Sequence, residues 1–183
     1  MKIVKSSLIV ATILAVALPV MAGVSPHETI TATIDGSKVT IVYGRPYTKN
    51  PKTGEPRKIW GKLVPYGKVW RTGADEATTL TTEKDLDIGG TTVPAGKYTL
   101  YTLPVEGGTS KLIINKLTES NGRPLWGTVY KQDQDFARVD LKKETLDKPV
   151  DQFTMAIEPG ASGGGTLKMM WETTQYSVPI KAK

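Results

Sequence analysis

Two arginines stand close to residues that set the backbone conformation. Arg45 precedes Pro46, and Arg71 lies two residues before Gly73. The arginine side chain presents a planar fork of N–H donors that matches the oxygens of a carboxylate or a phosphate. Arg45 and Arg71 are therefore the first candidates for binding an anionic ligand.

Neighbouring residues could complete such a site. Tyr43 and Trp70 would form its walls, and Asp75 or Glu76 would supply a charged partner. If both arginines face one concavity, the sequence predicts a pocket for a small anion or a sugar acid. The alternative is that Asp75, Glu76 or a main-chain carbonyl neutralises each arginine, which would then fix the loop to the scaffold.

Acid–base catalysis has few candidates in this chain. His27 is the single histidine, and histidine is the side chain that ordinarily exchanges protons near neutral pH. Asp75 and Glu76 are consecutive, and successive residues of a strand point to opposite faces. Glycoside hydrolysis requires two carboxylates that converge on one bond. No catalytic residue is assigned. His27 lies just past the predicted signal-peptide cleavage site, where a surface or strand-start role is favoured over a catalytic one, and it is kept as a candidate ligand-binding residue.

The composition excludes several kinds of site. The chain has 183 residues with no cysteine and one histidine, so disulfide scaffolds, thiol catalysis, cysteine-based zinc sites and multi-histidine metal sites are excluded. The sequence contains no P-loop, dinucleotide-binding fingerprint, calcium-binding loop or nucleic-acid-binding motif. It therefore predicts no cofactor, no metal site and no nucleic-acid partner.

A basic segment at 44–76 holds most of the candidate residues. Between positions 44 and 72 it carries eight basic residues and one acidic residue, a net charge of +7. The segment lacks strand alternation, and an irregular stretch of this length in a compact domain is usually functional or disordered. Its aromatic residues indicate that at least the second half is packed; they are Tyr47, Trp60, Tyr66 and Trp70.

The rest of the chain reads as short strands joined by turns. Residues 29–34 and 38–43 alternate between apolar and polar side chains and flank Asp35-Gly36, a preferred pair for a type I′ turn. Pairing Ile34 with Ser37 places six apolar side chains of this hairpin on one face, namely Ile30, Ala32, Ile34, Val39, Ile41 and Tyr43.

Similar signals continue to the C-terminus. Gly89-Gly90 predicts a second tight hairpin, and Pro179 in the last apolar run predicts an edge strand or a bulge. The whole pattern predicts a mainly β fold. We interpret it as a single antiparallel β-sandwich, jelly-roll-like, with one long basic irregular insertion.

The N-terminus reads as an export signal. Lys2 and Lys5 precede an uncharged apolar run at 8–20, which is shorter than the roughly 20 residues that a spanning helix needs. Val20 and Ala22 occupy the positions that a signal peptidase reads, so cleavage after Ala22 is expected. The sequence thus predicts a signal peptide, 1–22, and one domain, 23–183, that is periplasmic or secreted and has no membrane span after cleavage.

The segment 64–78, VPYGKVWRTGADEAT, resembles the core motif of a bacterial exported family catalogued as domain of unknown function 2911. Shorter stretches match the family in the same order and cover nearly the whole mature chain: 25–27, 43–46, 58–61, 94–98, 115–116 and 126–127. The chain departs from the family with Gly44, where serine is common, and with Asp75, where asparagine is common. The resemblance implies an exported β-rich domain and no particular activity.

Three functions remain open on these observations. The one favoured is a non-enzymatic binding module for a glycan or a small anionic ligand. The second is a hydrolase-type enzyme that uses Arg, Asp, Glu and His residues near the 44–76 insertion. The third is a structural or partner-binding protein of the cell envelope, whose protein partners the sequence does not identify.

Overall fold

The computed structural model describes residues 25–183. The predicted signal peptide and its cleavage site lie outside the described residues. The strands, numbered in chain order, are β1 His27–Ile34, β2 Ser37–Gly44, β3 Thr79–Thr82, β4 Leu86–Ile88, β5 Thr91–Val93, β6 Gly96–Leu103, β7 Ser110–Asn115, β8 Glu119–Ser120, β9 Arg123–Pro124, β10 Asp135–Pro159 and β11 Gly165–Ala182.

Nine of these strands form one sheet in the order β1-β2-β3-β6-β7-β10-β11-β4-β5, and β8 and β9 form a separate two-stranded ribbon. Every pairing between neighbours is antiparallel. The predicted mainly β, antiparallel architecture is therefore confirmed.

Both predicted hairpins form with tight turns. In the first, Ile34 pairs with Ser37, and the turn residues Asp35 and Gly36 have φ angles of 47° and 75°. Positive φ at both positions is the signature of a type I′ turn. In the second, strands β4 and β5 pair directly across Gly89-Gly90.

Strands β10 and β11 each change partners along their length. The first residues of β10, 135–141, pair with β7, whereas Lys142–Pro159 pairs with β11 through two register shifts. Strand β11 pairs with β10 as far as Ser177 and with β4 from Ile180 onwards. Pro179, which has no N–H to donate, lies at this change of partner.

Side chains join strands that are not neighbours in the sheet. The Tyr43 hydroxyl on β2 accepts a hydrogen bond from Met155 N on β10 at 2.9 Å. The carboxylate of Asp35 accepts hydrogen bonds from Gly164 N at 2.8 Å and from Ala182 N at 3.2 Å. The first hairpin is therefore tied to the long strands at both of its ends.

The basic insertion is irregular, as predicted, and it is packed against the core. No strand of the nine-stranded sheet lies between the end of β2 at Gly44 and the start of β3 at Thr79 among the described residues. Ile59 and Val64 are fully buried. Trp60 and Trp70 pack on the core with part of their surface exposed, so the second half of the insertion is held in place.

Candidate functional site

A cavity of about 1220 Å³ opens beside the insertion. The insertion provides most of its lining, and residues 25–26, the segment 127–130 and strands β6 and β11 complete it. The charged lining residues are Lys52, Arg57, Lys68, Arg71 and Asp75. The aromatic lining residues are Tyr47, Trp70, Tyr101, Tyr130 and Trp171.

The loop that carries Arg71 has a fixed and strained backbone. Trp70 exchanges two main-chain hydrogen bonds with Thr102 on β6, at 2.8 and 2.9 Å. The buried Thr72 has a φ of 54°, and Asp75 has a φ of 62°. Positive φ is uncommon outside glycine and costly for a β-branched residue, and such strain is concentrated at functional sites.

Gly127 allows the opposite wall to lie against Arg71. Its N–H donates to the main-chain oxygen of Asp75 at 2.9 Å. A Cβ atom at this position would lie 2.7 Å from Cδ of Arg71 and 2.8 Å from that same oxygen. A side chain larger than hydrogen would therefore push the two walls apart.

Within the described range, the basic residues of the cavity have no carboxylate at ion-pair distance. The ion pairs found among residues 25–183 include none of Lys52, Arg57, Lys68 and Arg71. Arg57 donates through Nη2 to the main-chain oxygen of Tyr47, but its buried Nε has no hydrogen-bond acceptor among residues 25–183. Burial lowers the pKa of Arg57, because desolvation disfavours the charged guanidinium.

Two indole rings form the inner aromatic part of the lining. Trp70 and Trp171 are stacked with ring centroids 5.8 Å apart and an interplanar angle of 18°. Trp171 is only 1% exposed, and in the described part of the chain its buried Nε1–H also has no hydrogen-bond acceptor. Trp60 meets Trp70 edge-on at 6.1 Å.

Two tyrosines on the far wall donate hydrogen bonds from their hydroxyl groups to oxygen atoms of the protein. Tyr101 donates to the main-chain oxygen of Val129 at 2.8 Å, and burial raises the pKa of Tyr101 to about 12. Tyr130 donates to the Asp135 carboxylate at 2.8 Å. Burial and the hydrogen bond to Asp135 raise the pKa of Tyr130.

Arg45 and Tyr43 lie outside the cavity lining and belong to the scaffold. Arg45 Nε lies 3.1 Å from the main-chain oxygen of Phe153 and 3.2 Å from the Glu28 carboxylate. Its Nη2 donates to Thr154 Oγ1 at 2.8 Å. Tyr43 donates to Glu28 at 2.6 Å, and burial raises the pKa of Tyr43.

Three further candidate residues are divided between two places. Asp75 lines the cavity and accepts a hydrogen bond from Ser25 N at 2.8 Å. His27 and Glu76 pair with each other at 2.8 Å and do not belong to the described lining. Asp75 and Glu76 therefore do not converge as the two carboxylates of a glycosidase would.

The structure thus brings together Trp70, Arg71 and Asp75 and separates them from the other candidates. Sequence reasoning missed most of the remaining lining. Lys52, Arg57 and Lys68 were visible as part of the basic run, although nothing distinguished them from the other basic residues there. Tyr101 and Tyr130 carry no local signal, because they reach the cavity from distant parts of the chain.

Residues 25–183 contain neither a cluster of metal ligands nor a helix that could span a membrane. No three His, Asp or Glu side chains in this range are grouped closely enough to hold a metal ion. A helix long and apolar enough to cross a membrane is likewise not found in the described part of the chain.

The fold and the site define a mainly β protein with a basic, aromatic-lined cavity. A family model described as protein of unknown function (DUF2911) matches residues 25–180, and the chain belongs to this family. The resemblance read from segment 64–78 is therefore confirmed. No curated protein and no solved structure shows significant similarity to the chain.

Proposed function

We propose that this protein is a non-enzymatic binding module for a small anionic ligand, held in the cavity beside the insertion. The observation that carries the proposal is the unbalanced charge of the lining. Four basic residues and a single carboxylate, Asp75, face the cavity among the described residues. Asp75 is already engaged by Ser25 N.

Arg57 and Arg71 are the residues that would contact a bound anion directly. Arg57 and Arg71 are both partly buried, and a charge removed from water without a partner is costly. A carboxylate or phosphate would supply that partner and accept two parallel N–H bonds from a guanidinium. Lys52 and Lys68 are exposed at the cavity and would strengthen the field that steers an anion towards it.

The proposal includes the scaffold and its location. We infer one domain, 23–183, built as a jelly-roll-like β-sandwich, and the hydrogen bonds that Tyr43 accepts from Met155 on β10 and that Asp35 accepts from Ala182 on β11 support it. The lysines and apolar run at the N-terminus support an exported protein that works in the periplasm or outside the cell.

A thermal-shift screen of the purified protein tests the proposal. The probes are phosphate, benzoate, gluconate and decanoate, each compared with a neutral counterpart. At least one anion is expected to raise the melting temperature, since a ligand at a hundredfold excess over its Kd stabilises the native state by about 2.7 kcal/mol. Absence of any shift with all four anions would overturn the proposal.

A charge-matched pair of double variants locates the site. Arg57→Gln/Arg71→Gln removes two lining charges, and Lys62→Gln/Arg123→Gln removes two exposed charges that do not line the cavity. The first variant is expected to lose the anion-dependent shift, and the second to retain it. Equal shifts in both variants would place anion binding elsewhere and contradict the proposal.

A further inference from the structure

The cavity is poor in side-chain acceptors for hydrogen bonds. Its described lining contains no Asn, Gln or Glu, and its neutral polar side chains outside the tyrosines are Ser25 and Thr128. The Tyr130 hydroxyl already donates to Asp135 and accepts from Arg138 Nη2, and the Tyr101 hydroxyl, which donates to the main-chain oxygen of Val129, keeps acceptor capacity for one further hydrogen bond. A sugar presents many O–H donors, each of which needs an acceptor when it leaves water.

The same lining is rich in apolar side chains. Besides the aromatic residues, it includes Pro26, Pro46, Pro51, Leu63, Pro65, Val69 and Ala74. Leu63 is 44% exposed, which leaves apolar surface in contact with water. Burying such surface against a ligand is favourable roughly in proportion to its area.

From these two features we infer that the ligand is an amphiphilic organic anion, with one acid group on a hydrocarbon or aromatic body, rather than a glycan. This inference rests on the proposed function and narrows it. Arg57 and Arg71 bind the acid group, and the apolar lining around Leu63 and Trp70 contacts the body of the ligand. The cavity volume of about 1220 Å³ exceeds the usual range for small-molecule pockets, roughly 300–1,000 Å³, so a ligand with a long or multi-ring body fits.

Calorimetric titration of four compounds tests the inference, because these compounds vary the acid group and the body of the ligand independently. Decanoate and gluconate share a carboxylate and differ in the body, whereas decanol and glucose are neutral compounds with the corresponding bodies. All are used below the concentration at which they form aggregates. Decanoate is expected to bind at least tenfold more tightly than each of the other three.

Each of the other results has a distinct meaning. Gluconate binding as tightly as decanoate would overturn this inference and leave the anion-binding proposal standing. Decanol binding as tightly as decanoate would overturn the anion-binding proposal, because the charge would contribute nothing. Failure of all four compounds to bind would count against both.

A matched pair of exposed apolar residues provides the second measurement. Leu63 lines the cavity and is 44% exposed, whereas Val42 on β2 is 38% exposed and is not part of the described lining. Leu63→Asn is expected to weaken decanoate binding severalfold, and Val42→Asn to leave it unchanged. Equal affinity in the two variants would overturn the assignment of the ligand body to this wall.

Discussion

Arg45 and Arg71 occupy different electrostatic environments. The guanidinium of Arg45 contacts the Glu28 carboxylate and the main-chain oxygen of Phe153, so its charge is used within the scaffold. Arg71 lines the cavity and has no carboxylate within ion-pair distance among the described residues. The charge of Arg45 is therefore paired within the scaffold, whereas that of Arg71 has no carboxylate partner among residues 25–183.

Alanine substitution of the two arginines should have unequal effects on stability. Arg45→Ala is expected to lower the free energy of unfolding by about 1.5–3 kcal/mol, the usual range for hydrogen bonds to charged groups. Arg71→Ala is expected to change it by about 0.5 kcal/mol or less, because the packing lost with this partly buried side chain is offset by the removal of a charge that has no carboxylate partner among the described residues. Urea denaturation of both variants provides the comparison, and a larger loss for Arg71→Ala would contradict the environments described here.

At the scale of elements, the local sequence of the first hairpin and its tertiary contacts favour the same structure. Its turn type, its alternating pattern and its register all place Ala32 and Ile34 on the same face as Val39 and Ile41. The turn residue Asp35 also accepts hydrogen bonds from Gly164 and Ala182. A change in this turn would therefore disturb its contact with β11 as well as the pairing of β1 and β2.

A valine at the turn should destabilise the protein. Gly36 has a φ of 75°, and a β-branched residue there is expected to cost on the order of 1–2 kcal/mol. Ala161→Val, at an exposed turn position without positive φ, is the control and should be nearly neutral. Thermal melts compare the two variants, and equal melting temperatures would show that the turn does not require positive φ.

At the scale of the whole molecule, the cavity depends on segments that are far apart in sequence. Residues 25–26, the insertion, Tyr101 on β6, the segment 127–130 and Trp171 on β11 all contribute to its lining. Main-chain bonds hold several of these pieces together, such as those from Gly127 to Asp75 and from Ala77 to Leu125. The site therefore exists only when the sheet is complete.

The buried tyrosines predict that the fold weakens at alkaline pH. Tyr101 ionises near pH 10 when unfolded, whereas in the folded protein burial raises its pKa to about 12. Between these values the unfolded chain loses a proton that the folded protein keeps, so stability falls as pH rises from 10 towards 12.

Tyrosine-to-phenylalanine variants provide the measurement. Tyr101→Phe is expected to reduce the loss of melting temperature between pH 9 and pH 11. The exposed Tyr47 gives the control variant, Tyr47→Phe, which should follow the unsubstituted protein. Identical pH profiles for all three proteins would show that Tyr101 is not linked to alkaline unfolding.

By itself the sequence determined the features that depend on neighbouring residues. Alternation with a period of two, interrupted by Asp35-Gly36 and Gly89-Gly90, was enough to predict the antiparallel β class and both hairpins. Segment 64–78 was enough to identify the family. Each of these signals is local, because turn type and strand period are set within a few residues.

Only the tertiary structure decided which basic residues share the cavity. The insertion has no periodic pattern, so nothing in it indicates the direction of Arg45, Arg57 or Arg71. The environment of Arg45 is set by groups more than a hundred residues away along the chain, such as Phe153 O. The environment of Arg71 is set by the strained loop after Trp70. Which charges are neutralised and which face a ligand depends on long-range packing, and local sequence patterns carry no information about it.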